Sequence, residues 1–391
     1  MENTLLAPSL QRVKPSRIRE IADIAFGMEG VLKLQFGESN MPTPQHIKDA
    51  AAQAMKEGYT FYTENAGLPG LREALAEKCA ELHQVQLDPD SEILVSASGV
   101  QALNVGIRCA IDPGDEVIVL TPNWPNASAI VSLFGGIQRE IPFLRGEKRF
   151  AIDFEALDRA VTARTRLLIY TSPSNPLGWV ASPEDQRKLL EFCRRHRLWL
   201  LADEVYERLY YGDGPAPSIL RICSRTDPVI VTQSFSKTYC MTGWRLGWLV
   251  ARRDLIGKAT ELNEFIVSHA PSMLQRAGEV ALRQGEKEVA SMVEAFEERV
   301  SFCFEALAAI PSISVMKPEG AFYVFPAVEE MKDSFAFALS LLQEYRVAVA
   351  PGCAFGNGGE GSFRICCAAD PSVLEPAMER VCRFLEAERW I

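Results

Sequence analysis

Six short runs rich in Val, Ile and Leu, each closing on small or polar residues, punctuate the middle of the chain: Ile93–Val95, Glu116–Leu120, Arg166–Tyr170, Leu198–Leu201, Pro228–Val231 and Leu246–Val250. A strand with one wet face alternates apolar and polar residues, whereas a run apolar throughout is buried on both faces. Helical connections between parallel strands provide that cover, so the runs predict an α/β fold with a mostly parallel central sheet covered by helices. The intervals have the required character. Between Ala181 and His196, Ser182 and Pro183 precede Glu184 and Asp185 as a capped helix start, and Leu189, Leu190 and Phe192 follow as an apolar stripe.

The two ends read differently. Residues 1–44 are polar, with one helical pattern at Ser16–Phe26 and a turn-rich stretch at Gly37–Pro44. Residues 262–309 read as one or more long helices. Beyond them come strand patterns at Ser312–Met316 and Ala321–Phe325, a helix at Ser334–Tyr345, strands at Val347–Ala350 and Ser362–Cys366, and a last helix at Pro371–Arg389. A chain of 391 residues has room for roughly two or three domains. The expected division is a large cofactor-binding domain over 45–275 and a smaller α+β domain built from 1–44 plus 276–391.

Several function classes are disfavoured. With 41 Lys and Arg against 51 Asp and Glu, the net charge of −10 makes nucleic acid and anionic membrane poor partners. No apolar stretch reaches the roughly 18 residues of a membrane span. The first residues, with Glu2 and only a brief apolar segment, lack a secretory pattern. The ten cysteines form no CxxC pair, and His46, His83, His196 and His269 lie far apart, so no metal-binding spacing exists and no metal is expected. Scattered thiols suit a reducing compartment, and the expected location is the cytoplasm.

In an open α/β sheet the ligand lies beyond the carboxyl ends of the strands. Five apolar runs are followed there by polar or glycine-bearing segments: Ser96–Gln101, Pro122–Trp124, Ser172–Pro176, Asp203–Tyr206 and Ser234–Lys237. Gly99 at a helix start offers exposed N–H groups to an anion such as phosphate, although Ser and Gly also cap helices without any ligand. Ser234, Ser236, Lys237 and Arg245 add hydroxyls, an amine and a cation, or else are ordinary surface groups. Asp203, at the mouth of a buried strand, either caps the following turn or meets a cation such as a protonated ring nitrogen. Tyr206 is placed to donate to a ring oxygen. Trp124 can cover a flat ring or simply pack beside its prolines, and Asn175 is a rigid donor or a plain Asn-Pro turn. Taken together, the groups suit a flat aromatic ligand with a phosphate, a ring nitrogen and a carbonyl carbon able to condense with Lys237. Pyridoxal 5'-phosphate has all of these.

The segments Tyr59–Tyr62, Gly67–Arg72, Ser174–Gly178, Ala202–Tyr206, Ser234–Lys237, Gly243–Gly247, Pro318–Tyr323 and Pro351–Gly352, followed by Arg364, are similar in order and spacing to the fold type I pyridoxal-phosphate enzymes. Within them the chain resembles the class I/II aminotransferases over essentially its whole length. The resemblance implies that Lys237 carries the cofactor covalently and later moves the substrate proton. It pairs Asp203 with the ring nitrogen, directs Tyr206 and Asn175 to the ring oxygen and stacks Trp124 on the ring. It places the phosphate on the main chain at Gly99 and Val100, the Gln101 amide, Ser234 and Arg245, with Tyr62 reaching in from the other subunit of a homodimer. Arg364 is the implied clamp for the substrate α-carboxylate, assisted by Asn175 and the backbone of Gly37.

The implied activity is transfer of an amino group from an L-amino acid to a 2-oxo acid. In a subgroup that includes aspartate enzymes, a lysine follows the phosphate-loop glycine; Val100 stands there instead, which favours a neutral or aromatic amino acid. Two alternatives share the same groups: a C–S β-lyase or decarboxylase on the same cofactor, and a regulatory protein that binds the cofactor without turnover.

Overall fold

The computed structural model describes residues 15–387. Its centre is a seven-stranded sheet: β1 (Ile93–Ser96), β2 (Glu116–Thr121), β3 (Ile137–Pro142), β4 (Thr165–Thr171), β5 (Trp199–Asp203), β6 (Val229–Ser234) and β7 (Gly247–Ala251), in spatial order β1-β7-β6-β5-β4-β2-β3. Only β7 runs against its neighbours. The apolar runs are explained by burial on both faces. In β4, Leu168 and Tyr170 join one core while Leu167 and Ile169 join the core on the opposite face, and all four are fully buried.

Because β7 is antiparallel, its amino end lies at the same margin as the carboxyl ends of the other six strands. The register places Thr171 opposite Asp203, and Gly247 opposite both Ser234 and Ser96. This lines up the final residues of β1, β4, β5 and β6 along one margin. The opposite end of β2 is held by Glu116, whose buried carboxylate accepts from Arg139 at 2.8 Å, Arg164 at 2.7 Å and Thr162 at 2.8 Å. Several donors offset the desolvation of that charge.

A separate core gathers residues from both ends of the described chain, among them Ile21 and Leu34 with Phe296, Phe363 and Phe384. A short three-stranded sheet lies within this part, formed by β8 (Tyr323–Val324), β9 (Ala350–Pro351) and β10 (Phe363–Cys366) in the order β8-β10-β9. The first helix, Arg17–Phe26, and the helix Ser334–Tyr345 fall where their patterns place them. The last helix covers Pro371–Glu386, with Arg389 outside the described residues.

One strand departs from the sequence patterns. The strand β3 was not evident: Ile137-Gln-Arg-Glu-Ile-Pro142 is a part-exposed margin strand whose charged side chains break any apolar run. The helical region expected around 262–309 holds the end of Arg253–Glu264, then Ser272–Gln284 after 265–271, and Glu286–Ala308 after Gly285. The middle helix packs on Gln45–Lys56 and Pro69–His83. No helix among the described residues is long and apolar enough to cross a membrane.

Candidate active site

A cavity of about 460 Å³ opens at the carboxyl margin of the sheet, bounded by strand ends, the N-terminal helix and the second core. Lys237 enters from the single helical turn Phe235–Thr238 that follows β6, started by Ser234, whose hydroxyl accepts from the Ser236 N–H at 3.1 Å. Its Nζ donates to the Gly37 carbonyl at 2.6 Å and lies 5.8 and 5.9 Å from the ring centres of Tyr206 and Phe322. Burial disfavours the ammonium and lowers its pKa to about 8. A reactive neutral amine is therefore present in a useful fraction near neutral pH.

Asp203 closes β5 and is only 6 % exposed. Its one side-chain partner is the Thr232 hydroxyl at 3.3 Å, and no Lys or Arg forms an ion pair with it among the described residues. Burial raises its pKa to about 6, opposed by the Val205 N–H, the Thr232 hydroxyl and the charge of Lys237. Such a carboxylate is short of a cation.

The Tyr206 and Tyr323 hydroxyls stand 2.7 Å apart. Two O–H groups sharing one bond leave a proton free for a third acceptor. Burial raises both pKa values, so both stay protonated donors. Arg364, on β10, is 2 % exposed and lies between two rings, its guanidinium carbon 4.5 Å from the Tyr323 centroid and 5.1 Å from that of Phe355. It donates to Asn175 Oδ1 at 2.8 Å and to the Gln35 carbonyl, while its buried Nε has no protein partner. A planar donor group with capacity left over is suited to a carboxylate.

Where β1 and β6 end and β7 begins, the backbones approach closely. A Cβ on Gly247 would stand 2.5 Å from the Gly99 nitrogen and 2.6 Å from the Ser98 carbonyl carbon. A Cβ on Gly99 would stand 3.0 Å from Ser234 Cβ. Ser98 sits at φ 138°, a strained conformation for a residue with a side chain, and its hydroxyl caps the helix Gly99–Ala110 at Gln101 N. The helix start places Gly99 and Val100 on the cavity wall beside Ser234 and Arg245, a set of groups that could receive an anion. Arg245 arrives through a left-handed residue at φ 54° just before β7.

The structure thus brings Gly37, Gly99, Val100, Trp124, Asn175, Asp203, Tyr206, Ser234, Lys237, Arg245 and Arg364 onto one cavity. Gln101 is not among the lining residues. Its amide carbonyl accepts from the Ala97 N–H at 2.8 Å and its amide nitrogen donates to Asn263 at 2.6 Å, so this side chain braces the loop and does not line the cavity. Tyr62 stands outside the cavity of its own chain, 90 % exposed, with its ring against His269. None of the four histidines lines the cavity. The Thr121–Pro122, Ser172–Pro173 and Asn175–Pro176 bonds are cis.

Sequence reasoning missed several wall residues. Tyr323 lies in the Pro318–Tyr323 segment without having suggested a role, and its hydroxyl occupies the space a Cβ on Gly37 would need, at 2.0 Å. Gln35, Phe36 and Arg19 come from the N-terminal segment, where no periodic signal marks a cavity wall.

The sequence model of the family described as aminotransferase class I and II matches residues 29–381. An aspartate aminotransferase of Pyrococcus abyssi is 36% identical over 387 residues, covering 98% of this chain and 99% of that protein. An aromatic-amino-acid aminotransferase of Thermococcus litoralis is 33% identical over 389 residues, covering 99% and 100%. Among solved structures, an alanine aminotransferase from Pyrococcus furiosus superposes with a TM-score of 0.92 at 28% identity, covering 98% of this chain and 100% of that one.

Proposed function

Because the chain belongs to the class I and II aminotransferases, enzymes that work with pyridoxal 5'-phosphate, we propose that it moves the amino group of a neutral or aromatic L-amino acid to a 2-oxo acid in the cavity around Lys237. The observation that carries the assignment of the site is the pairing of opposite needs in one cavity. Asp203 is a buried carboxylate without a cation, and Lys237 is a buried amine inclined to lose its proton. A protonated pyridine nitrogen answers the first and a carbonyl carbon the second.

The remaining groups fit the same cofactor. Gly99, Val100, Ser234 and Arg245 would hold the phosphate, and Trp124 would cover the ring. The spare proton of the Tyr206–Tyr323 pair and the amide of Asn175 would serve the ring oxygen. When bound, the cofactor supplies a carbonyl carbon that takes up amines and a ring that accepts the electrons released at the substrate Cα. Asp203 would hold the ring nitrogen in its protonated form by stabilising positive charge beside it. With the cofactor bound, the Lys237 amine would take the proton from the substrate Cα and hold it for return. Arg364 grips the α-carboxylate, helped by Asn175 and the main chain of Gly37, and so fixes which Cα bond is broken. Tyr323 acts on that grip by lying under the guanidinium.

Ile18, Phe36, Val100 and Trp124 form the apolar part of the wall, which supports a neutral or aromatic side chain. The names of the relatives range over aspartate, aromatic amino acids and alanine. A homodimer with shared active sites is part of the proposal, with Tyr62 reaching the phosphate of the partner. Exposed Phe61, Tyr62, Phe265, Ile266 and Val267, 80, 90, 85, 53 and 41 % accessible, support a face that is covered in solution. We place the large domain at 45–275 and the small one at 1–44 plus 276–391, the helix Ser272–Gln284 straddling the division and packing on the large side. The proposed location is the cytoplasm, where ten free thiols suit the reducing conditions.

The test is a panel of amino donors and 2-oxo acids with separate assays for new amino acid, ammonia and thiol. New amino acid without ammonia is the expected result. Ammonia or thiol release would point to a lyase instead, and cofactor binding without turnover to a regulatory protein.

A further inference from the structure

Asn263, near the end of the helix Arg253–Glu264, is fully buried and lies outside the cavity wall. Its Oδ1 accepts from the Gln101 amide nitrogen at 2.6 Å, and its own amide nitrogen donates to the Ser268 carbonyl at 3.0 Å and the Asn65 carbonyl at 3.3 Å. Its main-chain carbonyl accepts from the N–H groups of Ile266, Val267 and Ser268, which ties this end of the helix to the loop that follows. Gln101 continues the connection, its Oε1 accepting from the Ala97 N–H at 2.8 Å. Main-chain groups at the two ends orient both amides. The Ala97 N–H can only donate, so it takes the Gln101 oxygen and turns the Gln101 nitrogen toward Asn263. The two carbonyls can only accept, so they take the Asn263 nitrogen and leave its oxygen for Gln101.

We propose that Asn263 is a positioning residue for the cofactor phosphate: through Gln101 it holds Ala97, and so fixes the place of the Gly99 and Val100 main chain on the cavity wall. The inference rests on the aminotransferase reading and deepens it. Ala97 directly precedes Ser98, whose φ of 138° is strained. A strained residue keeps its conformation only where its surroundings over-determine it. Ser98 is held on several sides: its carbonyl accepts from the Ser96 hydroxyl at 2.8 Å, its hydroxyl accepts from the Gln101 N–H at 3.1 Å, and its neighbour Ala97 is tied to the Gln101 side chain. A glutamine side chain has several free torsions, and fixing it in one conformer costs entropy. Asn263, immobilised by burial and by two carbonyls, removes that freedom before any anion arrives. Donors held in place beforehand bind more tightly than donors that must be gathered by the ligand. The polarity of the connection also excludes an isostere, since Asn263→Asp keeps an acceptor for Gln101 but sets a carboxylate oxygen against the Asn65 and Ser268 carbonyls.

The test uses the cofactor-free full chain with Asn263→Leu, Asn263→Asp and Gln101→Met, titrated with pyridoxal 5'-phosphate and with pyridoxal, which lacks the phosphate; the visible absorbance of the loaded protein reads binding. The dissociation constant for pyridoxal 5'-phosphate is expected to rise roughly five- to fiftyfold in each variant, with that for pyridoxal within about twofold of the parent. Combining Asn263→Leu with Gln101→Met should cost no more than about twofold beyond the worse single variant, because both remove one connection. Equal losses for the two ligands would mark a general structural defect and overturn the proposal, as would an unchanged affinity for pyridoxal 5'-phosphate. Should the Asn263 variants fail to fold, Gln101→Met decides by the same contrast, since the path from Asn263 to Ala97 runs through Gln101. A parent that binds both ligands alike refutes the phosphate assignment at Gly99 and Val100 itself, whereas a parent preference that the variants retain refutes only the role of Asn263.

Discussion

Replacing Asp203 with Asn tests the central electrostatic argument without relying on turnover. In the cofactor-free protein, burial raises this carboxyl from 3.8 to about 6. The folded state therefore binds the proton more tightly than the unfolded state, which destabilises the fold wherever the group must ionise. Below pH 3.8 both states are protonated and there is no penalty. The penalty grows as pH rises through the unfolded value and is complete above the folded one. A shift of this size corresponds to about 3 kcal/mol above pH 7, of which roughly half is already present at pH 5. Asn keeps an acceptor for Thr232 and does not titrate, so the variant avoids the penalty. Urea unfolding of cofactor-free parent and Asp203→Asn between pH 5 and 8 should show the variant more stable, with a gap that widens with pH by about 1.5 kcal/mol. The same substitution in the holoenzyme should slow Cα proton removal far more than it weakens cofactor binding. A variant that is less stable at pH 8, or a gap that does not change with pH, would refute the idea that the carboxylate is waiting for a cation.

Three further outcomes follow from the geometry. Lys237→Ala should fold and retain phosphate-site binding but lose turnover, and in the parent the rate of cofactor capture should rise with pH and level off above about 8, as the neutral amine accumulates; a profile flat from pH 6 to 9 contradicts this. Gly247→Ala forces a methyl to 2.5 Å from the Gly99 nitrogen, and the backbone shift should weaken cofactor retention in equilibrium dialysis by roughly five- to a hundredfold, an over-packing cost of about 1–3 kcal/mol. Tyr323→Phe keeps the ring under Arg364 but removes the partner of Tyr206, and kcat should fall about fivefold for one lost hydrogen bond, with KM for the amino donor little changed; an effect on KM alone would assign the hydroxyl to substrate binding.

The legible part of the molecule was the part whose signals are local. Strands β1, β2, β4, β5, β6 and β7 announce themselves because burial on both faces demands unbroken apolar runs, and Asp203 and Lys237 stand out because each follows such a run. The strand β3 is illegible for the converse reason: at a margin, Arg139 and Glu140 are tolerated and erase the pattern. Gln101 has the expected position, yet its amide is consumed by Asn263, a partner 162 residues away that no local pattern announces. Arg19, Gln35 and Phe36 reach the cavity only because the N-terminal segment crosses to the far part of the chain, where Leu32 and Lys33 pair with Val347 and Ala348. Tyr323 becomes meaningful only when Tyr206, Arg364 and Gly37 surround it.

That long-range arrangement also explains how a chain of net charge −10 comes to hold anionic ligands. The charge of the whole surface repels them, so attraction has to be local. The fold concentrates it in two ways. The parallel strands bring helix starts and their exposed N–H groups to one margin, and the single antiparallel strand β7 delivers Arg245 to that margin from the opposite direction. The second core then closes the cavity with Arg364, whose guanidinium carbon lies close to the Tyr323 and Phe355 rings. In the proposed function the two halves would supply different charges for different ends of the reaction, the sheet for the cofactor and the chain ends for the substrate. On that proposal the cofactor corner at Gly99 and Gly247 and the substrate grip at Arg364 belong to different parts of the chain, as a reaction in two half-cycles requires: one ligand retained throughout and the other exchanged each time.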